Sequence, residues 1–204
     1  MHVHSRYSKD CKTTIEAILK KARNSGLDCV AITDHNKIEG AFKAKEASKD
    51  ILVIVGEEIE TRQGEILAYF VKKRILPDRD ISETIDDAKK QGCLVAIPHP
   101  FDGYRNNAVG DIDILNRIAK SIDFIEINGH SFPGANQKAK DFASKNKIPL
   151  IAGSDAHTPM EIGSAYTLFT EGKISKKTEI FYNTSTLSTL LKLIHVKIHK
   201  TLRL

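Results

Sequence analysis

His2-Val3-His4 opens the chain, with Ser5 directly after it. Side chains alternate along an extended strand, so two histidines one residue apart share a face and reach one metal ion. Alone, the pair is a weak signal. It gains weight from what ends the hydrophobic runs further along. Asp34-His35 follows residues 29–33, and Glu58 follows 51–55. His99 follows 93–97, and Asp155-Ala156-His157 comes just after 149–152. These runs show little alternation, as expected of strands buried on both faces of a parallel sheet.

Helical patterns fill the gaps. Thr13-x-x-Glu16 reads as a capping box opening a helix whose apolar face is Ile15, Ile18, Leu19 and Ala22, with Gly26 ending it. Asp80-x-x-Glu83 is a second N-cap signature, for a helix through Lys90 that Gly92 terminates. Further helices are expected over 38–48, 112–119 and 136–146. Strands are expected over 1–4, 65–71 (after a turn at 62–64), 122–127 and, last, 165–169. From 184 to about 203, Leu187, Leu190, Leu191, Ile194 and Ile198 keep helical spacing, so a final amphipathic helix is expected to cover the fold. No linker or repeat interrupts residues 1–204, which read as one domain.

Strand and helix thus alternate about seven times, the pattern of a barrel or of an open doubly wound sheet. No Gly-x-Gly-x-x-Gly or GxxxxGK loop is present, which removes the nucleotide-binding open sheets built on those motifs. The candidate ligands stand at the ends of some six strands. An open sheet would scatter them, whereas a closed barrel gathers them at its carboxyl end. The ligand pattern therefore argues for closure.

Composition sets milder bounds. The net charge of +5 is compatible with an anionic substrate without naming one. No run of 18 apolar residues predicts a membrane span, and no secretory leader is visible. Cys11, Cys29 and Cys93 are three and far apart, which argues against a disulfide framework or a cysteine zinc site and fits a reducing cytoplasm. The basic run 173–204 reads as a solvated face. His195 and His199 within it lack the Glu of HExxH and read as structural or exposed.

Histidine and carboxylate donors without thiolates suit Zn, Mn, Fe or Mg. Carboxylates can bridge two ions and offset their repulsion, the arrangement that drives phosphoryl hydrolysis. With these features together the chain resembles the PHP (polymerase and histidinol phosphatase) family over nearly its whole length. The marks are His2-Val3-His4-Ser5, Tyr7-Ser8-Lys9-Asp10, Ile32-Thr33-Asp34-His35, Gly56-Glu57-Glu58-Ile59, Ile97-Pro98-His99-Pro100, Glu126-Ile127-Asn128 and Gly153-Ser154-Asp155-Ala156-His157. The resemblance implies a distorted (β/α)7 TIM-like barrel with two or three divalent ions. It implies one ion held by His2, His4, Glu58 and Asp155, and a second by Glu58, Glu65 and His99, with Glu58 bridging. A third would be held by Asp10, His35 and His157. Asp10 and Glu65 stand where the most histidine-rich members carry histidine, which moves preference from Zn towards Mn or Mg. Family members also carry an Asp two residues before the first His. Here that position would precede Met1, so the carboxylate partner of a ligand is expected to be missing or the start truncated.

Asp34 reads as a cap or a support behind the ligands, as does Asn128. Glu57, on the face opposite Glu58, is expected to be solvated or paired with a base. Arg105, Lys37 and His130 are possible substrate contacts. Hydrolysis of a phosphomonoester, or of a nucleotide or oligonucleotide phosphodiester, by a metal-activated water is the expected activity, with no general acid assigned. The substrate would be a small phosphorylated metabolite, a nucleotide or a nucleic-acid end. The alternatives are a histidinol-phosphate phosphatase and a non-catalytic scaffold or nucleic-acid-binding subunit. Neither a membrane nor an obligate protein partner is implied.

Overall fold

The computed structural model describes residues 1–169 and 178–182. The expected helix over 184–203 lies outside them. Six strands form one sheet in chain order: β1 (Cys29–Ile32), β2 (Leu52–Thr61), β3 (Gly64–Tyr69), β4 (Leu94–Ile97), β5 (Phe124–Asn128) and β6 (Leu150–Gly153). Neighbours are parallel except β3, which returns from β2 as a hairpin and is antiparallel to both β2 and β4. The expected turn at 62–64 is that hairpin.

Val3 curls the sheet round on itself. It bridges Ile32 at the end of β1 and Ala156 just beyond β6, both parallel. The Thr33 N–H donates to Val3 O (2.9 Å) and the His4 N–H to Ala156 O (2.9 Å). Residues 1–4 are therefore a staple bridged on both sides at Val3 alone, rather than the expected strand, and the fold is a distorted α/β barrel. A separate antiparallel pair, β7 (Ala165–Phe169) and β8 (Thr178–Tyr182), follows, so 165–169 is not the last strand.

Helices α1 (Ile15–Asn24), α2 (Glu39–Ala47), α3 (Ile81–Lys90), α4 (Ile112–Ile118) and α5 (Pro133–Asn146) connect the strands. In α1 the predicted stripe Ile15, Ile18, Leu19 and Ala22 is buried, but the cap is Thr14, whose hydroxyl accepts the Ala17 N–H (3.2 Å). Thr13 is drawn instead towards the site, where its hydroxyl donates to His157 O (2.9 Å). Asp80 caps α3 as expected.

Two apolar layers follow strand parity. Val30, Ile32, Val53, Val55, Val95, Ile97, Ile125 and Ile127 pack with the helices in the larger core. The alternate residues Ala31, Ile54, Leu67, Tyr69, Ala96, Phe124 and Ile151 fill the other face. Continued at period two, that second face carries Glu58 on β2, Glu65 on β3 and Glu126 on β5. The barrel interior is thus apolar at one end and acidic at the other.

Glu57, of opposite parity, corrects the sequence reading. It is fully buried rather than solvated, has no ion pair among the described residues, and its Oε2 accepts the Ile75 N–H at 3.0 Å. Burial pushes its pKa up to about 7, against the Ile75 hydrogen bond and the charge of Arg74. A carboxyl that binds its proton more tightly in the fold contributes fully below its ordinary value of 4.5 and costs stability as pH rises through 7. Glu57→Gln keeps the acceptor for Ile75 and lacks the charge. In chelator-treated protein its stability relative to the unsubstituted chain is expected to grow between pH 5 and pH 8 by about 2–3 kcal/mol. Thermal unfolding at both pH values reads this, and an unchanged difference in Tm contradicts it.

Candidate metal centre

The staple, the loop after it, β2, the start of β3 and the exits of β1, β4 and β6 place nine donor side chains together. From the staple, His2 Nε2 and His4 Nε2 lie 3.0 Å apart, each 3.1 Å from Glu58 Oε2. Asp155 Oδ1 stands 3.1 Å from His4 Nε2 and 3.4 Å from His2 Nε2. The other Glu58 oxygen, Oε1, is 3.3 Å from His99 Nε2, which is 3.7 Å from Glu65 Oε2. Asp10 Oδ2 lies 3.4 Å from both His35 Nε2 and His157 Nε2. Three groups therefore have donor atoms close enough for one ion each: His2, His4, Glu58 and Asp155; Glu58, Glu65 and His99; and His4, Asp10, His35 and His157. Glu58 belongs to two groups. His35 and Glu65 also lie within such reach of Glu60, which the sequence reading did not consider and which Lys9 and Asn36 engage.

The donor set fits divalent cations. Glu126 is held ionised by His2 despite burial, so it can only accept, and the His2 Nδ1–H must donate to its Oε1 (2.9 Å). That leaves a bare nitrogen lone pair at His2 Nε2, facing the nitrogen of His4. Such a pair needs a proton or a cation beside it. Without an ion, the proton takes the place: burial opposes it, but Glu58, Glu126 and Asp155 raise the His2 pKa to about 10. Burial likewise opposes charge on Glu58 and Asp155, yet His2 and His35 hold the first carboxyl well below its ordinary range. Arg105 and His2 do the same for the second. Among the described residues His157 Nε2 is buried with no hydrogen-bond partner, while its Nδ1 donates to Asp155 O (3.0 Å).

Backbone strain collects at the same place. His99 (φ 33°) and Asp155 (φ 47°) both adopt left-handed conformations that L residues avoid. For His99 the turn matters most, because Ile97 two residues earlier faces the helices and straight continuation would carry the ring away from the cluster.

Glu126 appeared in the sequence only within a family mark, and its role was missed. Its Oε2 accepts both the His99 N–H (3.0 Å) and the Asn128 side-chain amide (2.9 Å). With Oε1 on His2 Nδ1, it is a carboxylate partner of a ligand within the described residues. Parity on β5 was the available signal, since 124, 126 and 128 share a face. Close approach makes room for it: a Cβ at Gly153 would sit 1.9 Å from Glu126 Oε1 and 2.7 Å from the Cβ of His2.

The remaining named residues divide. Asp34 caps no helix. Its carboxylate accepts the backbone N–H (2.6 Å) and hydroxyl (2.7 Å) of Ser5, fixing the chain just after His4. Asn128 accepts the His130 N–H (2.7 Å) through its side chain. His130 is buried, 3.7 Å from Glu161 Oε1, and does not face water. Lys37 is exposed and forms no ion pair with the cluster. Arg105 reaches the centre: its Nη1 donates to Asp155 Oδ2 and its Nε lies 3.3 Å from Asp102 Oδ2.

A barrel closed by the segment around Val3, with His/Asp/Glu groups able to hold two or three ions at one end, defines the class. A protein of Methanocaldococcus jannaschii, MJ0417, is 32% identical over 184 residues, which are 88% of this chain and 73% of that one. A "Probable phosphatase" of Acetivibrio thermocellus is 28% identical over 221 residues, 90% of each chain. A two-domain protein from Bacteroides vulgatus, containing a predicted PHP-like metal-dependent phosphoesterase, superposes with a TM-score of 0.75 at 21% identity. The match covers 89% of this chain and 63% of that one. The family model described as PHP-associated matches residues 133–183. The chain belongs to the PHP-domain family.

Proposed function

We propose that the chain hydrolyses phosphate esters with two or three divalent ions, using the nine side chains His2, His4, Asp10, His35, Glu58, Glu65, His99, Asp155 and His157 as ligands. The observation that carries this is Glu58, whose two oxygens face two different groups of donors. Bound ions would supply Lewis-acid charge for a phosphoryl oxygen and lower the pKa of a coordinated water.

The residues of the chain do the rest. Glu126 holds the His2 ring so that Nε2 points into the cluster. Asp34 and Ser5 keep the staple in place. Arg105 sets a permanent positive charge beside Asp155, where it can bind an oxygen of the phosphate and offset charge in the transition state. Asp10 and Glu65, harder oxygen ligands where histidine-rich members carry histidine, support Mn or Mg over Zn. The three free thiols support a cytoplasmic location.

Elemental analysis of purified protein, paired with turnover in Mn, Zn or Mg, tests the reading. The panel is histidinol phosphate, nucleoside monophosphates, nucleoside 3',5'-bisphosphates and short single-stranded oligonucleotides. Two or three equivalents of metal and hydrolysis of at least one class are expected. A metal-free protein with no turnover after all three ions are supplied would sink the enzyme reading and leave the scaffold.

A further inference from the structure

Most of the larger apolar side chains lie inside the fold, and Tyr104 is an exception at 71% exposure. It is not isolated. Its ring lies 4.6 Å from that of Phe132, tilted by 34°, so a second aromatic lies against it while most of the side chain stays open to solvent. The two rings come from different loops, one after His99 and one after Asn128. A single buried carboxylate ties those loops together. Asp102 accepts the Tyr104 N–H (3.2 Å) through Oδ1 and the Ser131 hydroxyl (2.9 Å) through Oδ2, and Arg105 Nε lies 3.3 Å from that second oxygen. The aromatic pair is therefore anchored at the residues before Phe132 and after Asp102.

Its place beside the centre is equally defined. Tyr104 is the immediate neighbour of Arg105, whose guanidinium touches Asp155. Arg105 thus ties the loop that carries the ring to a ligand of the cluster. An open aromatic face stacks any flat π-system, and a guanidinium one residue away takes an anionic oxygen. We infer that Tyr104 and Phe132 form a subsite for the flat aromatic part of the substrate, and that the substrate class is a nucleotide whose phosphate lies at the cluster and whose base lies on Tyr104.

This inference rests on the proposed hydrolysis, and the test separates the two. kcat/KM is measured for a nucleoside 5'-monophosphate and for glycerol phosphate in the unsubstituted chain, Tyr104→Ala and Tyr104→Phe. Saturation-transfer NMR with adenosine, which has no phosphate to hydrolyse, is run on chelator-treated samples of all three. Tyr104→Ala is expected to lower kcat/KM for the nucleotide about 10- to 100-fold while changing that for glycerol phosphate less than about twofold, and Tyr104→Phe to restore it. Transfer to the adenine protons is expected in the unsubstituted chain and in Tyr104→Phe, and to disappear in Tyr104→Ala. Equal loss for both esters, or no change for either, overturns the subsite while leaving hydrolysis standing. Tyr104-dependent adenosine contact with no turnover of any ester upholds the subsite and overturns the hydrolysis.

Discussion

Replacing Glu58 with glutamine is expected to lower turnover of every substrate by at least about 1,000-fold, roughly 4 kcal/mol of transition-state stabilisation, and to remove at least one equivalent of bound metal. Glu58 is 1% exposed, and its Oε2 stands 3.1 Å from both His2 Nε2 and His4 Nε2 and 3.3 Å from His35 Nδ1. The other oxygen is 3.3 Å from His99 Nε2. Glutamine keeps the shape but loses the charge and turns one of these oxygens into a donor. Two neighbouring cations would then face each other with no shared anion between them. The four surrounding histidines would also lose the charge that organises them. Elemental analysis, circular dichroism and kcat measured together check this. A folded variant that keeps full metal content and turnover within 10-fold of the original would show that Glu58 bridges nothing.

Replacing Glu126 with glutamine is expected to weaken metal binding about 10- to 100-fold without removing any ligand. The carboxylate accepts from His2 Nδ1, from the His99 N–H and from the Asn128 side chain. Whichever way the glutamine amide turns, its NH2 meets a donor already present. Facing His2, it forces the ring into the other tautomer and puts an N–H where the lone pair must point into the cluster. Facing His99 and Asn128, it leaves a buried donor unpaired, at a cost of about 1–3 kcal/mol of stability. Titration calorimetry with Mn reads the affinity, and nitrogen chemical shifts of His2 read the tautomer. An unchanged affinity with an unchanged tautomer would mean that the staple alone orients His2.

The ligands at the exits of β1, β4 and β6 were legible in the sequence, because buried parallel strands carry a distinctive apolar run followed by His or Asp, whereas Glu58, expected just past a strand over 51–55, lies within β2, which the hairpin with β3 extends to Thr61. Closure of the sheet followed from the same pattern. What escaped was local geometry. Thr13 and Thr14 are both competent caps, and only the pull of His157 O on Thr13 assigns the cap to Thr14. Asp34 before a helix looks like an N-cap, yet the nearby Ser5 offers two donors and takes it. Glu57 looked like a surface acid because burying one without a base is rare. The loop around Ile75 covers it and supplies a backbone N–H.

Residue type and period two were enough to set the alternation of strand and helix and to mark His2 and His4 as sharing a face, since these depend on chain-local geometry. Pairings between distant segments were decided only by tertiary structure. Glu126 lies 124 residues from His2 and Arg105 lies 50 residues from Asp155, and no local spacing encodes either contact. Tyr104 and Phe132 meet only because Asp102 draws two loops together. The physical reason is common to all three: a buried charge or donor takes whichever partner the closed barrel brings within hydrogen-bond reach, and that reach is a property of the ring rather than of the run of residues.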